Sequence, residues 1–358
     1  MKFFYELNFI RGFACLMVVM VHVTASFYYF DEKQFNWLTM FLNQVSRFGT
    51  PLFAVIAGFL LFNQSFKGRF KVKRFVVSRT KKILIPFAIW SFVYLYYKSY
   101  VFPWQENGVK YADFFQLFLL GDAQYHLYFL IVVLQFYVLF LILQFVKTNQ
   151  MLIFLTIVSF FVNYFFIRKP FDFGNEMLNT ILQDRSSLFF WIFYFFLGGL
   201  FAMNWEKISQ WVRENIILTM FIGFTIILFA IYEYHAFTQY SSTRVANLLY
   251  IPLFFLFLTA MYYLLGKFAK LREGLIKIGN LSMGIYLVHP LILLLLEEHF
   301  PFLFDRTRWI ILAYFITVLL SILLVKLIQL LPFSSFIVTV AGDNKRKRID
   351  KKELGQAS

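Results

Sequence analysis

Charge is scarce in this chain: only 15% of its 358 residues are Asp, Glu, Lys or Arg. Soluble domains carry about 25%, so there are too few polar side chains to cover a globular surface. Cysteine is nearly absent. The single Cys15 lies inside the first apolar run, which excludes an intrachain disulfide and any cysteine-built metal site. Signatures of soluble enzymes are missing as well: no G-x-S-x-G elbow, Walker A loop, H-E-x-x-H helix or dinucleotide-binding glycine motif occurs. No internal repeat is evident, so the paired halves of many transporters are not visible. Acidic residues number 19 against 34 basic ones. In a soluble chain that excess would suggest nucleic acid.

What the chain does have is apolar bulk: 60% hydrophobic residues, 52 of them Phe, and a mean hydropathy of +0.68. This excludes a disordered tail, a fibre or a secreted disulfide scaffold. The composition describes an all-α, polytopic integral membrane protein. A run of about 17–25 apolar residues can cross the hydrocarbon core as a helix. By that ruler ten spans are expected, over 7–30, 38–62, 83–101, 126–146, 151–167, 187–203, 216–234, 248–266, 275–296 and 309–331. The membrane region then occupies 1–331, with a basic tail over 332–358. The first run lacks a small-residue cleavage site and carries Arg11 and His22, so it reads as a permanent helix rather than a signal peptide.

The basic excess records sidedness. Ten alternating spans put 24 basic and 7 acidic residues on one face and 10 basic and 12 acidic on the other. The positive-inside rule then places both termini in the cytoplasm. The basic run at 344–352 suits lipid headgroups or topogenesis, and no nucleic-acid partner is expected.

Chemistry must come from polar residues inside the spans, where they are costly and point to function. Arg11 and His22 are separated by ten residues; eleven steps of about 100° return them to one helix face, roughly 16 Å apart along the axis. Arg47 falls within the second span, beside Gly49, Pro51 and Gly58, residues that permit bending and close packing. Reaching the outer headgroups is its simpler use. Between 67 and 82 stand eight cations without an acid, Arg74 and Arg79 among them. Orientation alone could explain them; so could a phosphate-rich cytoplasmic substrate, which guanidinium groups bind bidentately. His126 opens the fourth span and His289 lies in the ninth at a depth similar to His22. Each could be an interhelical hydrogen bond. Together they outline a polar pathway suited to transport or to chemistry across the bilayer.

Six segments in order resemble the membrane-bound acyltransferase family 3. They are Arg11 with His22; Thr50-Pro51-Leu52-Phe53 through Gly58-Phe59-Leu60; Arg79 through Pro86; His126 to Phe129; Phe195-Phe196-Leu197-Gly198; and Ser282, Tyr286 and His289-Pro290. The resemblance covers nearly the whole chain. Ala57 and Tyr128 stand where serine and tryptophan are usual. It implies acyl transfer, with an acetyl group expected, from cytoplasmic acyl-CoA as co-substrate to a hydroxyl of a cell-envelope glycan or its lipid-linked precursor. His22 and Arg11 would be catalytic, while Arg47, Arg74, Arg79, His126 and His289 would bind substrate. No metal or resident cofactor is expected; the bilayer and other polysaccharide-synthesis membrane proteins are the remaining partners. An exporter or flippase for a surface glycan is the alternative from another class. A channel lacks any ring of repeated pore residues.

Overall fold

The computed structural model describes residues 4–66, 70–101, 117–118, 120–169, 171–237 and 241–340. Among these, every regular element is helical. In chain order they are α1 (Tyr5–Phe30), α2 (Trp37–Ser46), α3 (Gly49–Phe66), α4 (Val72–Arg79), a π turn (Thr80–Leu84) and α5 (Ile85–Val101). There follow α6 (Tyr128–Leu143), α7 (Asn149–Arg168), α8 (Glu176–Gln183), α9 (Ile192–Met203) and α10 (Trp205–Glu214). The last are α11 (Ile216–Phe237), α12 (Asn247–Leu264), α13 (Ala269–His299), α14 (Ile310–Gln329) and the short α15 (Ser334–Ile337).

Each of the ten expected spans coincides with helix. Eight helical stretches among the described residues are long and apolar enough to cross a membrane. The other two, α5 and α6, have 17 and 16 residues. Sixteen residues rise about 24 Å, short of a hydrocarbon core of about 30 Å. The turns at 121–127 extend the N-terminal end of α6 without helical backbone. Two spans differ from expectation. The second is not one helix: it breaks at Arg47 and Phe48 between α2 and α3. Pro51 fits this break, since the first turn of α3 needs no N–H from it. The sixth opens as a 3-10 turn, Leu188–Phe190, before α9 begins.

Two helix pairs form the tightest contacts, and glycine decides both. A Cβ on Gly12 would collide with the Leu275 carbonyl, and one on Gly279 with the Asn8 carbonyl, so α1 and α13 touch backbone to backbone. Gly58 and Gly198 do the same for α3 and α9, against the carbonyls of Phe195 and Val55. In lipid, such close approach replaces the missing hydrophobic drive between helices. The Gly58-Phe59-Leu60 and Phe195–Gly198 motif pieces therefore do packing work, with Phe59, Phe62 and Phe195 fully buried around them.

Helix ends gather as the alternation requires. At one end Tyr263 meets Glu6, with Arg213 and Arg272 over Tyr263 and Tyr262. At the other, Phe27 and Phe30 pack on Phe304, and Asn36 donates to Thr307. Of the expected tail, residues up to 340 fold back on α4–α5: Trp90 donates to the Ile337 carbonyl (3.0 Å) and Thr339 to the Lys82 carbonyl (2.8 Å). Pro86, lacking an N–H, cannot serve that Lys82 carbonyl. Residues 341–358, with the basic run at 344–352, and Lys67 and Arg69 of the basic loop lie outside the described residues.

Candidate active site

A polar seam runs along α1. Arg11 and His22 both keep partial access on its inward face, as their eleven-residue spacing predicts. Among the described residues, the ionisable groups that act electrostatically on Arg11 are Cys15, Tyr137 and Arg79, with no carboxylate among them. Arg79 reaches this point from the last turn of α4, its guanidinium 5.1 Å from the Phe75 ring and 5.0 Å from that of Tyr137. Its Nε is buried without a hydrogen-bond partner. Two guanidinium groups beside a phenol, with no acid, make a site for an anion. Arg74 is elsewhere. It lies on the exposed face of α4 with Lys71 and Lys73, beside the exposed Val72, Val76 and Val77. The structure brings Arg79 to the seam and leaves Arg74 at the surface.

Farther along α1, three imidazoles converge. The His22 ring lies 5.3 Å from that of His289, which lies 5.5 Å from that of His126. His289 and His126 are fully buried, whereas His22 stays partly accessible. The Nδ1 of His289 stands 3.0 Å from the Ile285 carbonyl. A carbonyl only accepts, so Nδ1 carries the proton and Nε2, which has no partner, presents a lone pair. Neither ring nitrogen of His126 has a partner of hydrogen-bond geometry. Among the described residues three buried ring nitrogens thus find no close partner, which in a buried site points to function.

Tyrosines hold these rings. The Tyr125 ring packs against that of His22, centroids 4.4 Å apart and planes tilted by 37°. Tyr286 packs 5.1 Å from His126 and donates to the His126 carbonyl. The hydroxyl of Tyr94 enters the ladder of α13, accepting from the Leu291 N–H (3.2 Å) and donating to the Leu287 carbonyl (2.7 Å). This insertion falls at Pro290, where the helix already lacks an N–H.

Arg47 does not reach outward to headgroups. At the α2–α3 break its Nε donates to Asn43 (2.7 Å), and Asn43 donates in turn to Thr24 (2.8 Å) and to the Val21 carbonyl (3.3 Å) on α1. Arg47 and Arg185 are the cations facing His22. Arg185 escaped the sequence reading, as did Asp122, Tyr125, Tyr94 and Tyr137. Arg185 stands between apolar runs in a polar stretch, Asp184-Arg185-Ser186-Ser187, that reads as an ordinary loop. Among the described residues no group of three or more His, Cys, Asp or Glu side chains is placed to hold a metal ion.

Two curated relatives are each named "Probable poly-beta-1,6-N-acetyl-D-glucosamine export protein". The one from Staphylococcus aureus (strain MSSA476) is 25% identical over 308 residues, covering 80% of this chain and 82% of its own. That from Staphylococcus epidermidis is 24% identical over 302 residues, covering 80% and 81%. No solved structure matches the chain. The family model described as "Acyltransferase domain" matches residues 4–326, a stretch that includes Arg11, His22, Arg47, Arg79, His126 and His289. The protein is a multi-pass membrane acyltransferase and belongs to the acyltransferase 3 family.

Proposed function

We propose that the protein moves an acyl group from cytoplasmic acyl-CoA, across the bilayer, to a hydroxyl of a cell-envelope polysaccharide or its lipid-linked precursor. One observation carries this reading. A histidine cluster stands between the Arg11 and Arg79 guanidinium groups at one end of the seam and the partly exposed Arg185–Asp122 pair at the other. Both termini are placed in the cytoplasm by the charge count, which puts the Arg11–Arg79 pair on the CoA side. The phosphates of CoA dock there, and the pantetheine arm spans the roughly 16 Å between Arg11 and His22. Acetyl is the acyl group expected. The polysaccharide acceptor is supported by the names of the relatives.

At His22 the chemistry is a single displacement. The imidazole takes the proton of the acceptor hydroxyl, the oxygen attacks the thioester carbonyl, and the carbon–sulfur bond breaks. The proton returns to the departing thiolate, leaving an ester and CoA-SH. A histidine suits this exchange because its ordinary pKa, about 6.5, lies near working pH. His289, with Nε2 unprotonated, and His126 orient the reacting groups. Holding both substrates at one point supplies further acceleration.

The names of the relatives favour a second reading, glycan export along the same seam. The two part on donor use. Protein in proteoliposomes, given acyl-CoA and a glycan acceptor, is expected to release CoA and form an ester; no donor consumption with a verified acceptor would establish the exporter. The orientation has its own test. With Cys15 replaced, a cysteine placed at Arg74 should be labelled only from the cytoplasmic side.

A further inference from the structure

Three interruptions of helical backbone meet at the outer end of the seam. The α2–α3 break delivers Arg47; the turns at 121–127 deliver Asp122, Tyr125 and His126; the irregular stretch 184–191 delivers Arg185. Non-helical backbone at membrane depth persists only where protein satisfies it or where it lines a cavity. Protein satisfies much of 184–191. Gln135 donates to the Ser186 carbonyl (2.8 Å) and accepts from the Leu188 N–H (2.8 Å), and Trp191 donates to the Arg185 carbonyl (2.8 Å). Gly121, at φ +74°, turns the other segment against Tyr128. These supports fix the direction in which Arg185 and Asp122 point.

The side chains so presented differ from those at the inner end. The Arg185 guanidinium lies 4.7 Å from the Tyr128 ring and 3.0 Å from an Asp122 carboxylate oxygen, while 46% of its side chain stays exposed. Tyr125, on His22, is half-buried and faces Glu297, which pairs with Ser26. Lys98 faces Asp122, and Tyr128 contacts Thr50 and faces Arg47 and Asp184. Among the described residues the charged groups at this end of the seam include Arg47, Arg185 and Lys98 as well as Asp122, Asp184 and Glu297, so neither sign dominates. A balanced site does not attract an anion as the inner pair does. Two phenol rings offer apolar platforms, and the Arg185–Asp122 pair offers donors and an acceptor side by side. That combination matches the apolar face and hydroxyl edge of an uncharged sugar ring.

We propose that the groups at this outer end of the seam bind the acceptor as electrically neutral sugar units, with Arg185 and Asp122 as the clamp that sets a hydroxyl over His22. The consequence for acyl transfer rests on the function proposed above; the binding itself does not.

The test uses the full chain in nanodiscs and a fully N-acetylated β-1,6-linked glucosamine hexasaccharide, beside an oligogalacturonate of equal length. Calorimetric binding and acyl-CoA-dependent ester formation are both read. The neutral oligosaccharide should bind and the anionic one should not. Arg185→Gln and Asp122→Asn should each weaken binding and raise the acceptor KM by about tenfold or more, with the KM for acyl-CoA within about twofold of wild type. That donor KM also reports an intact fold. If either variant loses it, Arg185→Lys replaces the failed one and should show the same selective loss, because the planar fork is gone while the charge remains. Unchanged acceptor binding in folded variants, or preference for the anionic oligosaccharide, overturns the proposal. Wild type that binds the neutral sugar with this variant dependence but consumes no acyl-CoA keeps the sugar site and removes acyl transfer. Wild type that acylates with unchanged acceptor KM in both variants does the reverse.

Discussion

The two ends of the seam share α1 but differ in how charge is arranged. At the Arg11 end, among the described residues, Cys15, Tyr137 and Arg79 act on Arg11 with no carboxylate among them. At the His22 end Arg185 already holds Asp122, and Arg47 is held by Asn43. Like charges brought together in a low-dielectric interior repel strongly, so the inner pair awaits an anion. The outer groups are satisfied in place and are arranged to exchange partners with hydroxyls. Between them, among the described residues, the three imidazoles form no ion pair and sit where a reacting atom can meet either side. On the function proposed above, the asymmetry is that of a donor port and an acceptor port.

The largest effect should come from the junction. His22→Ala should lower acyl transfer by about 10²–10⁴-fold, the usual contribution of a general base, with expression and thermal stability near wild type. Full turnover in a folded variant would remove His22 from the chemistry. The inner port should respond next. Arg79→Gln or Arg11→Gln should raise the KM for acyl-CoA by about 10–100-fold, from charge-assisted hydrogen bonds of about 1.5–3 kcal/mol, and leave the acceptor KM alone. Arg11→Lys should recover only part of the loss. Equal changes in both KM values would show that the ports are not separate.

A smaller effect should follow from Tyr94→Phe, which strips the Leu291 N–H and the Leu287 carbonyl of their shared partner. Stability should fall by about 1–3 kcal/mol. Turnover should fall several-fold with both KM values little changed, because His289 and His126 lose their alignment rather than a substrate contact. Kinetics at fixed folded fraction separate these. The smallest belongs to Arg74→Gln, expected to change the donor KM by less than about twofold, since this side chain stands on the exposed face of α4. A loss as large as that of Arg79→Gln would put the donor site on the surface of α4 instead.

Arg74 and Arg79 show where sequence reading stops. Both lie in one basic run, and nothing in the run distinguishes them. The separation comes from helical phase on α4, which buries Phe75 and turns Arg79 inward over it. Immediately beyond, the π turn and Pro86 carry the chain into α5, held by Thr339 from the far end of the chain. Arg11 and His22 were legible because helical spacing is local arithmetic. Arg47 was legible as an intramembrane cation, but its direction was not, since Asn43, Thr24 and Val21 fix it across two helices. Arg185 and Tyr125 gave no periodic signal because they stand on irregular backbone.

The sequence alone determined the class of the protein, the approximate span of each membrane helix, and the shared face of Arg11 and His22. These depend on composition and on rise and turn per residue, which every helix obeys. Tertiary structure decided the broken second span, the irregular entry to α9 and the partners of each polar group. It also decided that an acid-free port and a balanced port lie at opposite ends of one seam. Those outcomes depend on which backbones approach at Gly12, Gly58, Gly198 and Gly279, and on which distant side chains then meet a helix break. Such pairings join residues far apart in the chain, and no local pattern encodes them.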